Sequence, residues 1–302
     1  MTATVAISGA SGLIGSTLAT QLVASGLAVR KFTRKDGGGV QAIHWDPARG
    51  ALLPEQIDGL DAIVHLAGES IAGGRWTRAR MAAIRDSRVR GTGLIASTIA
   101  KLTHKPKVLV CASAVGFYGD RGDDAVDESS APGTGFLADV CQAWEAAARP
   151  AVDAGVRVVW LRFGVVLAVQ GGALERMLTP FKLGLGGRLG TGRQWMPWIA
   201  VTDAVAAIEV ALARNDMHGA YNVVAPEAVT NATFTRTLAR VLHRPAFLPV
   251  PAFALRLAFG RFADEALLAG SKVTPKRLVD AGFRFKWPQL EPALRHVLEG
   301  AP

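Results

Sequence analysis

The sequence predicts an α/β fold, a doubly wound parallel sheet joined to a smaller, mixed lobe. Three observations predict it. Short apolar runs alternate with helical periodicity as far as about residue 165. The first of those runs opens into a glycine-rich turn. Beyond residue 165 the texture changes to a stretch crowded with Gly184, Gly186, Gly187, Gly190 and Gly192.

The elements follow in order. Thr4 to Ile7 is an apolar strand, and Ser8-Gly9-Ala10-Ser11-Gly12-Leu13-Ile14-Gly15 follows it. Ile14, Leu18 and Leu22 then recur every four residues, the spacing of one helix face, and Gly26 is placed to stop that helix. Ala28 to Phe32 reads as the second strand, which completes a β-α-β unit. Further strands are expected at 42–45, 62–66, 108–111 and 156–161, the longer ones apolar throughout as buried parallel strands are. Helices are expected at 77–89, 93–102, 139–154 and 202–213, and a short strand at 221–224. Pro245, Pro249 and Pro251 mark a boundary before a C-terminal helical segment from about residue 248. The organisation expected is a dinucleotide-binding domain over 1–165 with contributions from about 195–225, and a substrate lobe over 166–302.

Composition narrows the function. Half the residues are hydrophobic and a fifth are charged, as in a globular protein, and no run of about 18 apolar residues suggests a membrane span. The first strand begins too near Met1 to leave room for a signal peptide, and two cysteines, Cys111 and Cys141, argue against a disulfide framework; a reducing cytoplasm is the expected setting. The net charge of +9 invites a nucleic-acid reading. The one dense arginine cluster, Arg75 to Arg90, lies in a helical stretch and points to several faces, so no nucleic-acid partner is expected. The six histidines show no metal-site spacing.

Gly9, Gly12 and Gly15 form G-x-x-G-x-x-G between a strand and a helix, the context in which such glycines bind a dinucleotide in a Rossmann unit. The first glycine makes the turn, the second lets the backbone approach a pyrophosphate, and the third lets helix and strand pack. The helix N-terminus adds amide donors and a positive dipole end. Selectivity is set after the second strand. An NAD site places a carboxylate there, whereas this chain has Thr33-Arg34-Lys35 with its first acid at Asp36. Arg34 pairs in bidentate fashion with a 2′-phosphate, which makes NADP(H) the expected cofactor.

The glycine loop, His65-Leu66-Ala67-Gly68 and Tyr118-Gly119 resemble an extended short-chain dehydrogenase/reductase. The segments 65–71 with Gly74-Arg75-Trp76, 113–119, 136–145, 184–198 and 275–283 resemble its atypical "epimerase family protein" branch over nearly the whole chain. The resemblance implies that Gly9, Ser11, Gly12, Leu13, Ile14 and Gly15 hold the pyrophosphate, with Thr33 and Arg34 at the 2′-phosphate. It further implies Trp45 and Asp46 near the adenine, Leu66, Ala67 and Gly68 along the cofactor, and Arg162 on the nicotinamide side. Ala200 departs from the branch, which shows histidine there.

The superfamily's usual catalytic set is missing. It uses a Ser or Thr, a Tyr, and a Lys four residues later that lowers the tyrosine pKa. This chain has two tyrosines, Tyr118 and Tyr221, and no lysine between Lys107 and Lys182. Counting from Glu145, the Tyr and Lys positions fall near Leu137 and Cys141, and the Ser/Thr position falls on Ala114. Ser113, Tyr118 and Glu69, which follow strand ends, are the remaining catalytic candidates; packing for Tyr118, capping for Ser113 and an ion pair for Glu69 are the plainer readings. Arg193, Gln194 and Trp195 are candidates for a small carbonyl or sugar-nucleotide substrate, and Asp203 reads as a helix cap. Two functions stay open: an atypical NADP(H)-dependent oxidoreductase or epimerase-like enzyme, and an NADP(H)-binding protein without turnover.

Overall fold

A computed structural model describes residues 2–34, 39 and 41–300. Lys35 and Asp36 of the selectivity segment lie outside the described residues. The chain begins β1 (Thr4–Ser8), α1 (Leu13–Ala24), β2 (Ala28–Thr33), β3 (Ala42–Asp46), β4 (Ala51–Leu52) and β5 (Ala62–His65). It continues through α2 (Arg78–Ala100), β6 (Val108–Ala114), β7 (Ala125–Val126), α3 (Phe136–Ala146), α4 (Arg149–Asp153) and β8 (Arg157–Phe163). Then come β9 (Val165–Leu167), α5 (Gly172–Lys182), β10 (Trp198–Ala200), α6 (Val201–Ala213), β11 (Gly219–Val223) and α7 (Asn231–Val241). The C-terminal part is α8 (Ala252–Phe259), a π-turn at Ala263–Leu267, β12 (Lys272–Val273), α9 (Lys276–Asp280) and α10 (Leu290–Glu299).

The central sheet has eight strands in the order β11-β8-β6-β5-β1-β2-β3-β4. All its pairings are parallel except β3 with β4. The order reverses direction between β1 and β5, which opens a crevice at the C-terminal ends of those strands, where ligands bind in such sheets. Alternation of side chains sorts the core into two layers. Val5, Ile7, Val64, Val110 and Val159 face α1, α6 and α10, whereas Ala6, Ile63, Leu109, Cys111 and Val158 face α2 and α4. The two-faced burial explains why these strands read as unbroken apolar runs.

Three expectations about elements are corrected. One helix, α2, replaces the two expected at 77–89 and 93–102. Gly91 inside it does not break it but lets it approach the sheet: a Cβ there would stand 3.3 Å from Cε1 of His65. The helix expected at 139–154 is two, because Pro150 starts a fresh turn in α4. Asp203 lies in the first turn of α6, but its carboxylate caps nothing there; it accepts the amides of Lys286 and Trp287, each at 2.9 Å. Thr230 does cap α7, its Oγ1 accepting from Thr233 N.

The smaller lobe is not a simple C-terminal half. β11 belongs to the main sheet, β12 pairs with β7, and Leu278, Leu290, Leu294 and Val297 join the main core. Among the described residues no helix is long and apolar enough to cross a membrane. The arginines of α2 are largely paired within the fold, Arg80 with Glu69 and Arg90 with Asp86, while Arg88 turns inward onto Trp144.

Candidate functional site

The glycine loop joins β1 to α1 at the crevice. Gly9 has φ +71°, and a Cβ there would lie 2.9 Å from both Ala67 N and the carbonyl carbon of Leu66, so only glycine fits beside β5. A Cβ on Gly15 would stand 2.2 Å from the Gly9 carbonyl oxygen, which seats α1 directly on the turn. Gly12 is exposed and precedes α1 with no side-chain cap. The first intrahelical acceptor is the Gly12 carbonyl, which takes Ser16 N, so the amides of Leu13, Ile14 and Gly15 have no partner within the helix. These open donors, at the positive end of the helix, form a cradle that fits a dinucleotide pyrophosphate. Exposed Ser11 lies at the mouth of the cradle.

The floor of the loop is a small buried polar unit. Ser8 Oγ accepts the amides of Leu66 and Ala67 at 3.2 and 3.3 Å and lies 2.6 Å from His65 Nδ1. With both lone pairs taken, the Ser8 hydroxyl donates to Nδ1, which fixes the His65 tautomer. Burial, then the nearby Arg88 charge, depresses the His65 pKa to about 4, so the imidazole is neutral. Leu66, Ala67 and exposed Gly68 thus run along the crevice opposite Gly9.

Arg34 is exposed just beyond Thr33 at the C-terminal end of β2, on the same edge of the sheet as the loop. Trp45 is corrected. It is buried in the core, edge-on to Phe32 at 5.3 Å and to His65 at 5.9 Å, and offers no face to an adenine. Asp46 turns back on its own loop and accepts the amides of Ala48 and Arg49.

Arg162 is held inside the fold. It is 5% exposed and forms a bidentate pair with Glu145, through Nε and Nη2 at 2.8 Å each. Its Nη1 donates to the Tyr118 hydroxyl at 2.9 Å, and its guanidinium lies 3.4 Å over the Phe117 ring. The Tyr118 hydroxyl in turn donates to Asn222 Oδ1 at 2.7 Å, and Asn222 Nδ2 to the Thr274 carbonyl. Ser113 Oγ donates to Glu145 at 2.6 Å. Burial pushes the Tyr118 phenol up, against the pull of Arg162. The chain Ser113–Glu145–Arg162–Tyr118–Asn222 is therefore an internal strut that links β6, α3, β8 and β11. The hydroxyls expected to reach substrate are engaged inside it. Glu69 is exposed and pairs with Arg80 at 2.8 Å, away from this group. The three catalytic candidates do not converge.

What adjoins the loop is a cavity of about 660 Å³ between the sheet and the smaller lobe. Leu13 of α1 lines one end, and Phe163, Met177, Met196 and Leu267 line its walls. Leu137 and Cys141, the positions counted from Glu145 for the missing Tyr and Lys, both line it, as do Ala114 and Trp144. Burial pushes the Cys141 thiol up to about 12, so it stays protonated. Gln194 and Trp195 also line it, but as ties: Gln194 Nε2 donates to the carbonyls of Leu189 and Leu267, and Trp195 Nε1 to Asp123. Arg193 is exposed and lies outside the lining. Trp198 is fully buried, with its Nε1 on the Glu227 carbonyl. Among the described residues no group of three or more His, Cys, Asp or Glu is placed to hold a metal ion.

Sequence reasoning missed Arg88 and Glu265 as parts of the cavity wall, and Glu145 and Asn222 as parts of the strut. Glu265 reaches from the smaller lobe to accept the Leu137 amide at 2.9 Å. One signal was available for Glu145: a carboxylate on the same face of α3 as Cys141 and Trp144, where a buried acid needs a cationic partner.

A glycine turn at a sheet's reversal point, an uncapped helix N-terminus and a cavity beside them define a dinucleotide-binding Rossmann protein. The chain belongs to the NAD dependent epimerase/dehydratase family, whose model matches residues 5–224; a domain of unknown function (DUF1731) matches residues 250–297. It is 44% identical over 295 residues to Epimerase family protein MT2273 of Mycobacterium tuberculosis, covering 98% of this chain and 97% of that protein. It is 39% identical over 297 residues to Epimerase family protein SDR39U1 of Homo sapiens, covering 97% of this chain and 99% of that protein. The structure of human SDR39U1 (isoform2) with NADPH superposes with a TM-score of 0.91 at 38% identity, covering 99% and 100% of the two chains. A nucleoside-diphosphate sugar epimerase from Corynebacterium glutamicum superposes with a TM-score of 0.83 at 35% identity, over 99% of this chain but 58% of that one.

Proposed function

We propose that the protein is an NADP(H)-dependent oxidoreductase that encloses a small organic substrate between the sheet and the smaller lobe, in a cytoplasmic setting. The observation that carries this reading is the cavity of about 660 Å³ that continues directly from the glycine loop through Leu13. When bound, NADP(H) supplies or accepts a hydride at its nicotinamide ring. The amides of Leu13 to Gly15 hold the pyrophosphate, and Arg34 holds the 2′-phosphate. Human SDR39U1, solved with NADPH, supports the cofactor assignment. The cavity walls flank the substrate, and the strut through Arg162 fixes the strand ends that form its floor. A sugar-nucleotide epimerase is the alternative chemistry within this reading.

A second reading is a cofactor-binding protein without turnover. It is favoured by the apolar Leu137 and the protonated Cys141 at the positions where an acid/base pair is expected. Titration with NADPH and NADH tests the shared part. NADPH is expected to bind more tightly, and Arg34→Glu to weaken it by about 1.5–3 kcal/mol, the range for a hydrogen-bonded charge, with little effect on NADH. Equal affinities in the unmutated protein would refute the role of Arg34. A screen of carbonyl compounds for cofactor oxidation and of nucleotide sugars for epimer formation separates the enzyme from the passive binder.

A further inference from the structure

The cavity walls restrict what they accept. Six lining side chains carry formal charge, and four of them are acids: Asp120, Glu175, Asp264 and Glu265, against Arg88 and Arg176. Arg88 is turned to the protein, and Arg176 is exposed and tied through one nitrogen. Arg88 Nη1 donates to the carbonyls of Glu69 and Ile84, and Arg176 Nη1 donates to the carbonyl of Ala72. Among the described residues, Arg88 and Arg176 are the cations that line the cavity, and they do not form the cluster a sugar nucleotide's diphosphate would require. Leu137, Trp144, Phe163, Met177, Met196 and Leu267 supply apolar and aromatic wall.

Proton supply restricts the chemistry further. Hydride addition to an isolated ketone leaves a strongly basic alkoxide, which must be protonated as it forms by a positioned acid. The described lining contains no tyrosine, lysine or histidine, and its carboxylates are engaged elsewhere: Asp264 and Glu265 pair with Arg256 and Arg261, Asp120 accepts the amides of Gly122 and Gly270, and Glu175 is exposed. The Tyr118 hydroxyl donates to Asn222 and lies outside the lining. A substrate turned over here must carry its own means of holding the charge.

Resting on the oxidoreductase reading, we propose that the cavity takes a flat, uncharged, conjugated acceptor of the quinone class and reduces it without a protein proton donor. The quinone gains a hydride from the reduced dinucleotide, and its ring becomes aromatic. The negative charge is left on a phenolic oxygen, of the kind that ionises near pH 10 in tyrosine. Water then protonates that oxygen. One quinone, one NADPH and one proton yield one hydroquinone and one NADP⁺, two electrons passing as hydride.

Two measurements on the full-length protein test this. Menadione is expected to quench tryptophan fluorescence in the absence of cofactor, because Trp144 and Trp195 line the cavity. It is also expected to oxidise NADPH catalytically, where cyclohexanone does not, and UDP-glucose is expected not to reduce NADP⁺. Leu267→Glu, which puts a charge in the apolar wall, should raise both the menadione Kd and KM by about tenfold or more. Leu267→Ala should move them in the same direction by less, and it serves if the charged variant does not fold. NADPH affinity should hold in both. If cyclohexanone oxidises NADPH, or UDP-glucose reduces NADP⁺, and menadione neither binds nor reacts, the acceptor class is overturned and the oxidoreductase reading stands. If NADPH binds, neither carbonyl compound oxidises it and UDP-glucose does not reduce NADP⁺, the oxidoreductase reading falls and takes the acceptor class with it.

Discussion

The glycine loop and the cavity floor lie at the C-terminal ends of neighbouring strands, yet they are built from different material. The loop is backbone: two glycines that nothing larger can replace and amides at the head of α1. The floor is side chain: a charged strut beneath and apolar residues above. A backbone site is written in spacing, because only certain positions tolerate the geometry. A side-chain site is written in identity, and a single substitution can exchange its chemistry without disturbing the fold.

The largest effect expected is on the loop. Gly15→Val drives a branched side chain into the Gly9 carbonyl and should abolish NADPH binding within the range of a titration. Retained binding would break the view that the loop is fixed by backbone contact. Next comes the floor. Glu145→Gln leaves the Arg162 charge buried without its partner and should cost about 3–5 kcal/mol of unfolding free energy in urea. A loss below about 1 kcal/mol would place the strut among weak surface pairs.

The pH profile distinguishes the regions again. His65 titrates at about 4 in the folded protein and near 6.5 when unfolded. Its folded pKa is depressed, so the unfolded chain takes up the proton first. Stability is fully present above about pH 6.5 and falls toward pH 4, by about 3 kcal/mol from this group. Urea midpoints between pH 7 and 5 should show the decline, and His65→Gln should flatten it. The smallest effect is Tyr118→Phe. Loss of the hydroxyl leaves Asn222 and Arg162 short of a partner, at about 1–3 kcal/mol, with NADPH affinity unchanged. A large fall in turnover with stability intact would return Tyr118 to the chemistry.

Much of the sheet was legible because parallel strands buried on both faces read as apolar runs, and the loop because its glycines fall between a strand and a helix. What escaped was tertiary. Nothing local marks Gly91 as a packing glycine; its reason is the His65 ring across the interface. Nothing local marks Asp203 as the acceptor for amides 83 and 84 residues away. The role expected of Trp45 came from position in a motif, whereas its burial comes from Phe32 and His65. Tyr118 and Arg162 were legible as important residues. Their mutual engagement was not, since it depends on Glu145 and Asn222 arriving from other elements.

The return of the last residues to the sheet has a consequence for modularity. The segment from α8 onward has its own sequence pattern, but its core is borrowed. Leu290, Leu294 and Val297 complete the layer over α6 and α7, and Arg277 ties α9 to the carbonyls of His218 and Ala220. Cutting the chain near residue 248 would not free a compact N-terminal fragment; it would strip one wall from it. Limited proteolysis should accordingly yield either the whole molecule or small peptides, and the two parts will be inherited together, as a pair spliced through one shared interior.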